Sequence, residues 1–303
     1  MEWSIPLIEK QKDIIMCIER NIGIIMKIKY LGTAAAEGIP AVFCECETCQ
    51  KAMRLGGKNI RTRSQALIDG KLLIDFPADT YIHSLKYGIK LADIKHCLIT
   101  HSHYDHLYPD EICMRRTDVF AHIKEKTPIT FYSDQSGYEL IEKVIKTDKI
   151  SECDVVVKKI ELYKPFSVDE YEVTALRATH SPASSPVVFL ITKDNKTVFY
   201  CHDTSEFNDE AMEYLKNSDI KVDLLSLDCT EGARNTKYSG HLNIFRCDEF
   251  VKQLKEIGIV EDNTRIILNH FSHNGGNVLY DEFVDIAAKY GFEVSFDGME
   301  IEI

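Results

Sequence analysis

Short apolar runs bounded by turn residues predict strands along most of this chain, and longer stretches between them predict helices. Met26-Lys27-Ile28-Lys29-Tyr30-Leu31-Gly32-Thr33 reads as a first strand running into a glycine turn. Residues 65 to 69 and 71 to 75 follow as a hairpin joined through Gly70. Cys97-Leu98-Ile99-Thr100 is apolar enough for a buried strand, and the stretch from Leu107 to Arg116 is helix-like. Further on, residues 135 to 147 predict a helix, and 154 to 160, 170 to 177, 186 to 192 and 196 to 201 predict strands of a second sheet. Leu225-Ser226-Leu227-Asp228 ends another strand, and a helix is expected from Leu242 to Ile257. No Pro/Gly/Ser-rich linker separates these elements. Ahead of them, Ile14, Ile15, Ile18, Ile22 and Ile25 fall at roughly helical spacing. Residues 1 to 25 are therefore either an amphipathic extension, laid on the domain or on a partner subunit, or a stretch ahead of a translation start at Met26.

The chain has 303 residues, 45% of them hydrophobic and 28% charged, which is enough to bury a substantial core. A net charge of −12 argues against a large non-specific nucleic-acid surface, because binding a phosphate backbone needs clustered Lys and Arg. No apolar run reaches the ~18 residues of a membrane span. The start carries no basic leader followed by a cleavage site, so a cytoplasmic protein without a membrane partner is expected. Of the ten cysteines, seven stand singly, as the buried thiols of a reducing compartment do.

The other three form Cys44-Glu45-Cys46-Glu47-Thr48-Cys49, and three thiolates this close make a zinc-ligand pattern that needs a fourth partner. A denser cluster follows the strand at Cys97. His101-Ser102-His103-Tyr104-Asp105-His106 puts four side chains of metal-ligand type into six residues. Residues two apart at a strand end point to one side, so His101 and His103 can grip one ion. The turn at Asp105-His106 aims a carboxylate and a third imidazole at a second ion.

H-x-H-x-D-H after a hydrophobic strand resembles the signature of the metallo-β-lactamase superfamily. The early Cys loop narrows the resemblance to the cyclic-phosphate phosphodiesterases of phosphonate breakdown. The resemblance covers residues 26 to 303 and implies an α/β fold, a four-layer αββα sandwich with a dinuclear site at one edge. It implies that His180, Asp203 and His270 complete the ligand set. His101, His103 and His180 then hold one ion, Asp105, His106 and His270 the other, and Asp203 is shared. It also implies that His273 joins Cys44, Cys46 and Cys49 around a structural zinc. His241, which follows Gly240 at a helix start, is the expected catalytic residue facing the phosphate, with Asp105 beside the reacting group. Asp75 is expected to support the His-rich loop from behind, and Asp228 to stand near the same edge. His202 points the other way in its strand, as a core or surface histidine.

The activity implied is hydrolysis of a phosphodiester, most simply a small cyclic phosphate, by a hydroxide shared between two Zn or Mn ions, with one further Zn in a structural role. The implied partner is a small-molecule phosphodiester rather than extended nucleic acid, and a homodimer is compatible with the sequence. Three other readings share the cage: a hydrolase of lactones or thioesters, a tRNA-processing-type nuclease, and a relative that keeps zinc for folding alone.

Overall fold

The computed structural model describes residues 25–236 and 240–303. The proposed extension at residues 1 to 25 lies outside the described residues except for Ile25. Two mixed sheets of seven strands carry the fold. Across the first run β14 (Glu300–Glu302), β1 (Lys27–Gly32), β2 (Gln65–Ile68), β3 (Leu72–Ile74), β4 (His96–Leu98), β5 (Ile129–Ser133) and β6 (Val155–Lys159). Across the second run β13 (Glu293–Val294), β12 (Arg265–Asn269), β11 (Leu224–Asp228), β10 (Lys196–Cys201), β9 (Val187–Lys193), β8 (Tyr171–Arg177) and β7 (Phe166–Val168). In each sheet one half is antiparallel and the other parallel.

The parallel halves need crossovers, and these supply the outer layers. Helix α2 (Thr80–Tyr87) joins β3 to β4, and α3 (Gln135–Thr147) joins β5 to β6. On the other side α4 (Asp209–Lys216), α5 (Ile244–Glu256) and α6 (Tyr280–Ala287) link β10 through β13. Helix α1 (Glu47–Leu55) follows the Cys loop. The period of two in each strand divides its side chains between layers. In β10, Val198 and Tyr200 enter the core between the sheets, whereas Phe199 and Cys201 face the helices. In β3, Leu72 and Ile74 face inward and Leu73 outward. Strands buried on both faces explain the largely apolar runs of β9 to β12. The result is the four-layer αββα sandwich expected from the sequence.

Three expectations need correction. Residues 154 to 160 form β6, which pairs in parallel with β5 in the first sheet rather than joining the second. The sequence reading passed over β5, and without it the β5–α3–β6 crossover has no anchor. Leu107 to Arg116 is not an α-helix; a 3-10 run occupies Pro109–Arg115, with Pro109 at its start. Finally, the single cysteines are not uniformly buried: Cys97, Cys201, Cys229 and Cys247 are, but Cys113 is half-buried and Cys153 exposed. Among the described residues, no helix is long and apolar enough to cross a membrane.

What matters for function is the edge at which the parallel strands end. The register sets Ile74 against Leu98 and Asp228 against Asn269. Asp75 therefore lies level with the start of the His-rich loop, and Asp228 beside the residue before His270. Asp75, Asp203 and His270 all have positive φ, at 67°, 52° and 64°. Left-handed backbone is uncommon outside glycine, and it occurs here where each strand's chain turns across the edge.

Phe199 is fully buried on β10, with its ring centroid 5.7 Å from that of Phe207. Phe199→Ala should lower stability by about 3–5 kcal/mol, the usual cost of emptying a phenylalanine site. Urea unfolding followed by circular dichroism should show a lower midpoint at an unchanged slope.

Candidate metal centre

Loops at five strand ends bring the candidate residues together. The loop after β4 carries His101, His103, Asp105 and His106; those after β8, β10 and β12 carry His180, Asp203 and His270; β11 ends at Asp228. Two groups result, each with its ligand-type atoms within 4.8 Å of one another: His101, His103 and His180, and Asp105, His106, Asp203 and His270. The Asp203 carboxylate touches both. One oxygen lies 3.3 Å from His101 Nε2 and 3.4 Å from His270 Nε2, and the other 3.9 Å from His180 Nε2.

The hydrogen bonds behind these side chains decide which nitrogens face inward. Thr100 gives both its N–H and its Oγ1 proton to Asp75 Oδ1, at 2.8 and 2.9 Å. Toward His101 Nδ1, 3.1 Å away, Thr100 Oγ1 can then only accept. The other Asp75 oxygen takes His106 Nδ1 at 2.7 Å. His180 Nδ1 donates to the Gly240 carbonyl at 3.1 Å. Thr230 Oγ1 donates to Asp228 at 2.9 Å and so accepts from His270 Nδ1 at 2.8 Å. Four imidazoles thus commit Nδ1 outward and turn Nε2 toward the centre.

The inward nitrogens are close to one another. His101 Nε2 and His103 Nδ1 are 2.9 Å apart, His180 Nε2 and His103 Nδ1 3.3 Å, and His106 Nε2 and His270 Nε2 3.3 Å. Lone pairs facing lone pairs at these distances repel, and a cation between them reverses the sign. This donor set therefore fits metal ions. Burial, with His106 adding to it, holds His101 well below the ordinary imidazole pKa, and burial holds His270 down too. His106 differs. Burial opposes its charge, but Asp75, Asp105 and Asp203 outweigh burial and push it well above the ordinary value. A proton and a metal ion compete for its Nε2.

His241 stands at the rim, half-buried, just before α5. Its Nδ1 is 3.1 Å from Asp228 Oδ2 and 3.4 Å from Asp203 Oδ1. Burial disfavours the charged ring, yet Asp228, with Asp203 behind it, brings its pKa to about 9. Asp228, His241, Asp203 and His270 are themselves close enough to form a ligand group. The oxygens of Asp228, however, are already engaged by Asp203 N–H, Thr230 N–H, Thr230 Oγ1 and Leu242 N–H at 2.9 to 3.1 Å, as well as by His241. That makes it an orienting carboxylate. His202 is fully buried between the sheets on Ser226 and Ser64, with its ring centroid 6.4 Å from that of His270 but outside the ligand groups.

The second cluster sits nearby. Cys44, Cys46, Cys49 and His273 have their ligand-type atoms within 4.8 Å of one another, and His273 Nδ1 lies 3.6 Å from Cys44 Sγ and 3.4 Å from Cys46 Sγ. Cys46 caps α1 and Cys49 lies in its first turn, where the helix dipole favours negative sulfur. The Cys49 N–H and His273 bring Cys46 down to about 6, whereas burial pushes Cys49 up to about 12. One thiolate forms readily, a second beside it only with a cation, so this set also fits a metal.

The structure brings together every candidate that the sequence nominated. Missing from the sequence reading were the second partners: Thr100, Thr230 and the Gly240 carbonyl. The first two carry a faint signal, a threonine one residue before the first ligand and another two residues after Asp228.

No curated protein matches the chain by sequence. Among solved structures, a diphosphatase from the PhnP family is similar at 19% identity and a TM-score of 0.71, over 92% of this chain and 98% of that one. Zinc-bound PqqB from Methylobacterium extorquens is similar at 18% identity and 0.69, over 91% and 100%. The short form of human tRNase Z follows at 18% and 0.62, over 91% and 98%. At these identities the likeness establishes the fold. A family model described as "Beta-lactamase superfamily domain" matches residues 74–271, a span that holds Asp75, the His-rich loop, His180, Asp203 and His270 and leaves the Cys loop and His273 outside. With more than half of its length matched, and with two sheets packed as that fold requires, this chain belongs to the metallo-β-lactamase superfamily of hydrolases.

Proposed function

We propose that the protein hydrolyses a phosphodiester, with a small cyclic phosphate as the favoured substrate. The observation that carries this reading is His241, an imidazole held by its Nδ1 on Asp228 at 3.1 Å, beside the two ligand groups without belonging to either histidine set. Both kinds of ester expel an alkoxide, but a carbonyl ester develops one oxyanion where a phosphodiester in its transition state spreads charge over several oxygens. A cationic donor at the rim serves both needs. Two of the similar structures are named for chemistry at phosphorus, a diphosphatase and a tRNase, which supports the same reading. The net charge of −12 favours a small ester over a long polyanion.

In this reading His101, His103 and His180 would hold one ion, Asp105, His106 and His270 would hold a second, and Asp203 would be shared. Bound divalent ions at such a pair supply an acidified water and positive charge opposite the phosphoryl oxygens. The chain does the rest. Asp75 and Thr100 fix the rings of His101 and His106, and Thr230 fixes His270. Asp228 holds His241 by Nδ1, leaving the Nε2 proton to be directed at a phosphate oxygen or at the departing alkoxide. Asp105, depressed by the neighbouring His106 despite its burial, stays a carboxylate beside the reacting group. Cys44, Cys46, Cys49 and His273 would hold a structural ion that ties α1 to the end of β12.

Two outcomes check this assignment. Protein prepared without chelator should carry about three metal ions per chain, and Cys46→Ala should lose one of them with much of the stability, since a structural zinc contributes folding energy directly. Elemental analysis beside thermal unfolding measures both. His241→Ala should keep its metal content but lose about 10²-fold in kcat on a cyclic phosphodiester, ~2.7 kcal/mol, with KM little changed. Asp203→Asn should lose metal as well as activity. Wild-type turnover by His241→Ala would reduce the histidine to a structural role, and a wild-type protein that cleaves a lactone but not the cyclic phosphodiester would favour the carbonyl-ester alternative.

A further inference from the structure

The peptide between His241 and Leu242 is held from both ends. Its N–H donates to Asp228 Oδ1 at 2.9 Å, and its carbonyl accepts from Arg246 Nη1 at 2.8 Å. Arg246 is unusual for its place. Asn243 caps α5 and accepts from the N–H groups of Phe245 and Arg246, which puts Arg246 at the third helical position. That is where an acidic residue would suit both the cap and the helix dipole, and a cation is disfavoured there. A residue that breaks a local rule in an otherwise consistent element points to a task elsewhere.

The other side of its guanidinium shows the task. Arg246 Nε donates to Glu206 Oε1 at 2.7 Å, and Nη2 donates to Glu206 Oε2. Such a two-pronged contact fixes distance and plane together. Glu206 belongs to the loop that begins at Asp203, and this loop is tied to the approach to His180. Ser205 N–H donates to the Thr179 carbonyl at 2.9 Å, and Thr179 N–H to Thr204 Oγ1 at 3.0 Å. Glu206 and Arg246 therefore span the gap between the loop bearing Asp203 and the peptide bearing His241.

Resting on the proposed phosphodiesterase reading for its consequence but not for its geometry, we infer that Arg246, locked by Glu206, is a positioning residue that sets the His241 imidazole relative to Asp203. It touches neither substrate nor reacting atoms. Its effect passes through the 241–242 peptide. With Asp228 holding the N–H and Arg246 the carbonyl, the peptide plane cannot rotate, and the ring it carries keeps one approach to the centre. Releasing the carbonyl end leaves the ring attached to Asp228 but free to swing.

The test uses the full chain with ring-labelled histidine, in Arg246→Met, Arg246→Lys, Glu206→Gln and Arg246→Met/His241→Ala forms, with the His241 resonance identified by its loss in His241→Ala. Arg246→Met should shift or broaden that resonance at unchanged metal content, and Arg246→Lys should restore part of it. Turnover of a cyclic phosphodiester should fall ~10-fold in kcat in Arg246→Met, at the low end of the 10–100-fold typical of outer partners, with KM within about twofold. Glu206→Gln should fall less. The double variant should be no slower than His241→Ala, because the effect runs through that ring. An unmoved His241 resonance in Arg246→Met overturns the proposal whatever the activity, as does a double variant slower than His241→Ala. A wild-type protein that cleaves no phosphodiester, with the His241 resonance still responding to Arg246→Met, sinks the functional reading and leaves the positioning role standing.

Discussion

Two buried carboxylates, one at the edge of each sheet, organise everything around the centre. Asp75 closes β3 and Asp228 closes β11, and each works through a threonine: Thr100 beside Asp75, Thr230 beside Asp228. A threonine hydroxyl that has given its proton to a carboxylate is an acceptor only, and it converts an ambiguous imidazole into one with a single inward nitrogen. His101 and His270 are set this way, and His106 is set by Asp75 itself. Burying a carboxylate is costly, and here the cost is offset by the number of donors each oxygen receives. The same donors couple the parts, so that a shift of Asp228 would be felt at once by Asp203, His270 and His241.

The fold makes this arrangement available because the strands that matter end at one edge. Parallel β3 and β4 bring Asp75 level with the His-rich loop, and parallel β10, β11 and β12 bring Asp203, Asp228 and His270 into one row. The left-handed backbone at Asp75, Asp203 and His270 is the local cost of turning side chains back across that edge. The Cys cluster is anchored to the same row, since His273 follows His270 by one short turn. A metal there would brace the end of β12 against α1, and so brace His270.

Charge places the chemistry. Burial holds His101 and His270 below the ordinary imidazole value, three carboxylates push His106 above it, Asp203 stays ionised, and Asp228 raises His241 at the rim. An interior rich in carboxylates and imidazole lone pairs suits cations. The superfamily fold permits many substrates, so the proposed choice between a phosphodiester and a carbonyl ester rests on this rim and not on the fold.

The candidate ligands were legible in the sequence because metal sites are built from few residue types at short spacings. His101, His103, Asp105 and His106 are adjacent because one loop must supply them, and Cys44, Cys46 and Cys49 because one turn must. His180, Asp203, His270 and His273 were reached only through a family resemblance, since nothing local marks them. The helix at Gln135–Thr147 and the hairpin through Gly70 were also legible, having strong periodicity or a turn residue in the right place. The tertiary structure alone decided which sheet β6 joins, because strand membership depends on the partner across the ladder and not on the strand's own apolar pattern. It alone decided which nitrogen each histidine turns inward, because that depends on Thr100, Thr230 and a backbone carbonyl distant in the chain. And it alone brought Glu206 to Arg246 and Arg246 to the His241 carbonyl, since a salt bridge between residues 40 apart leaves no spacing to read; residue type and local spacing are written in the chain, whereas which group stands behind which is settled only when the strands are laid side by side.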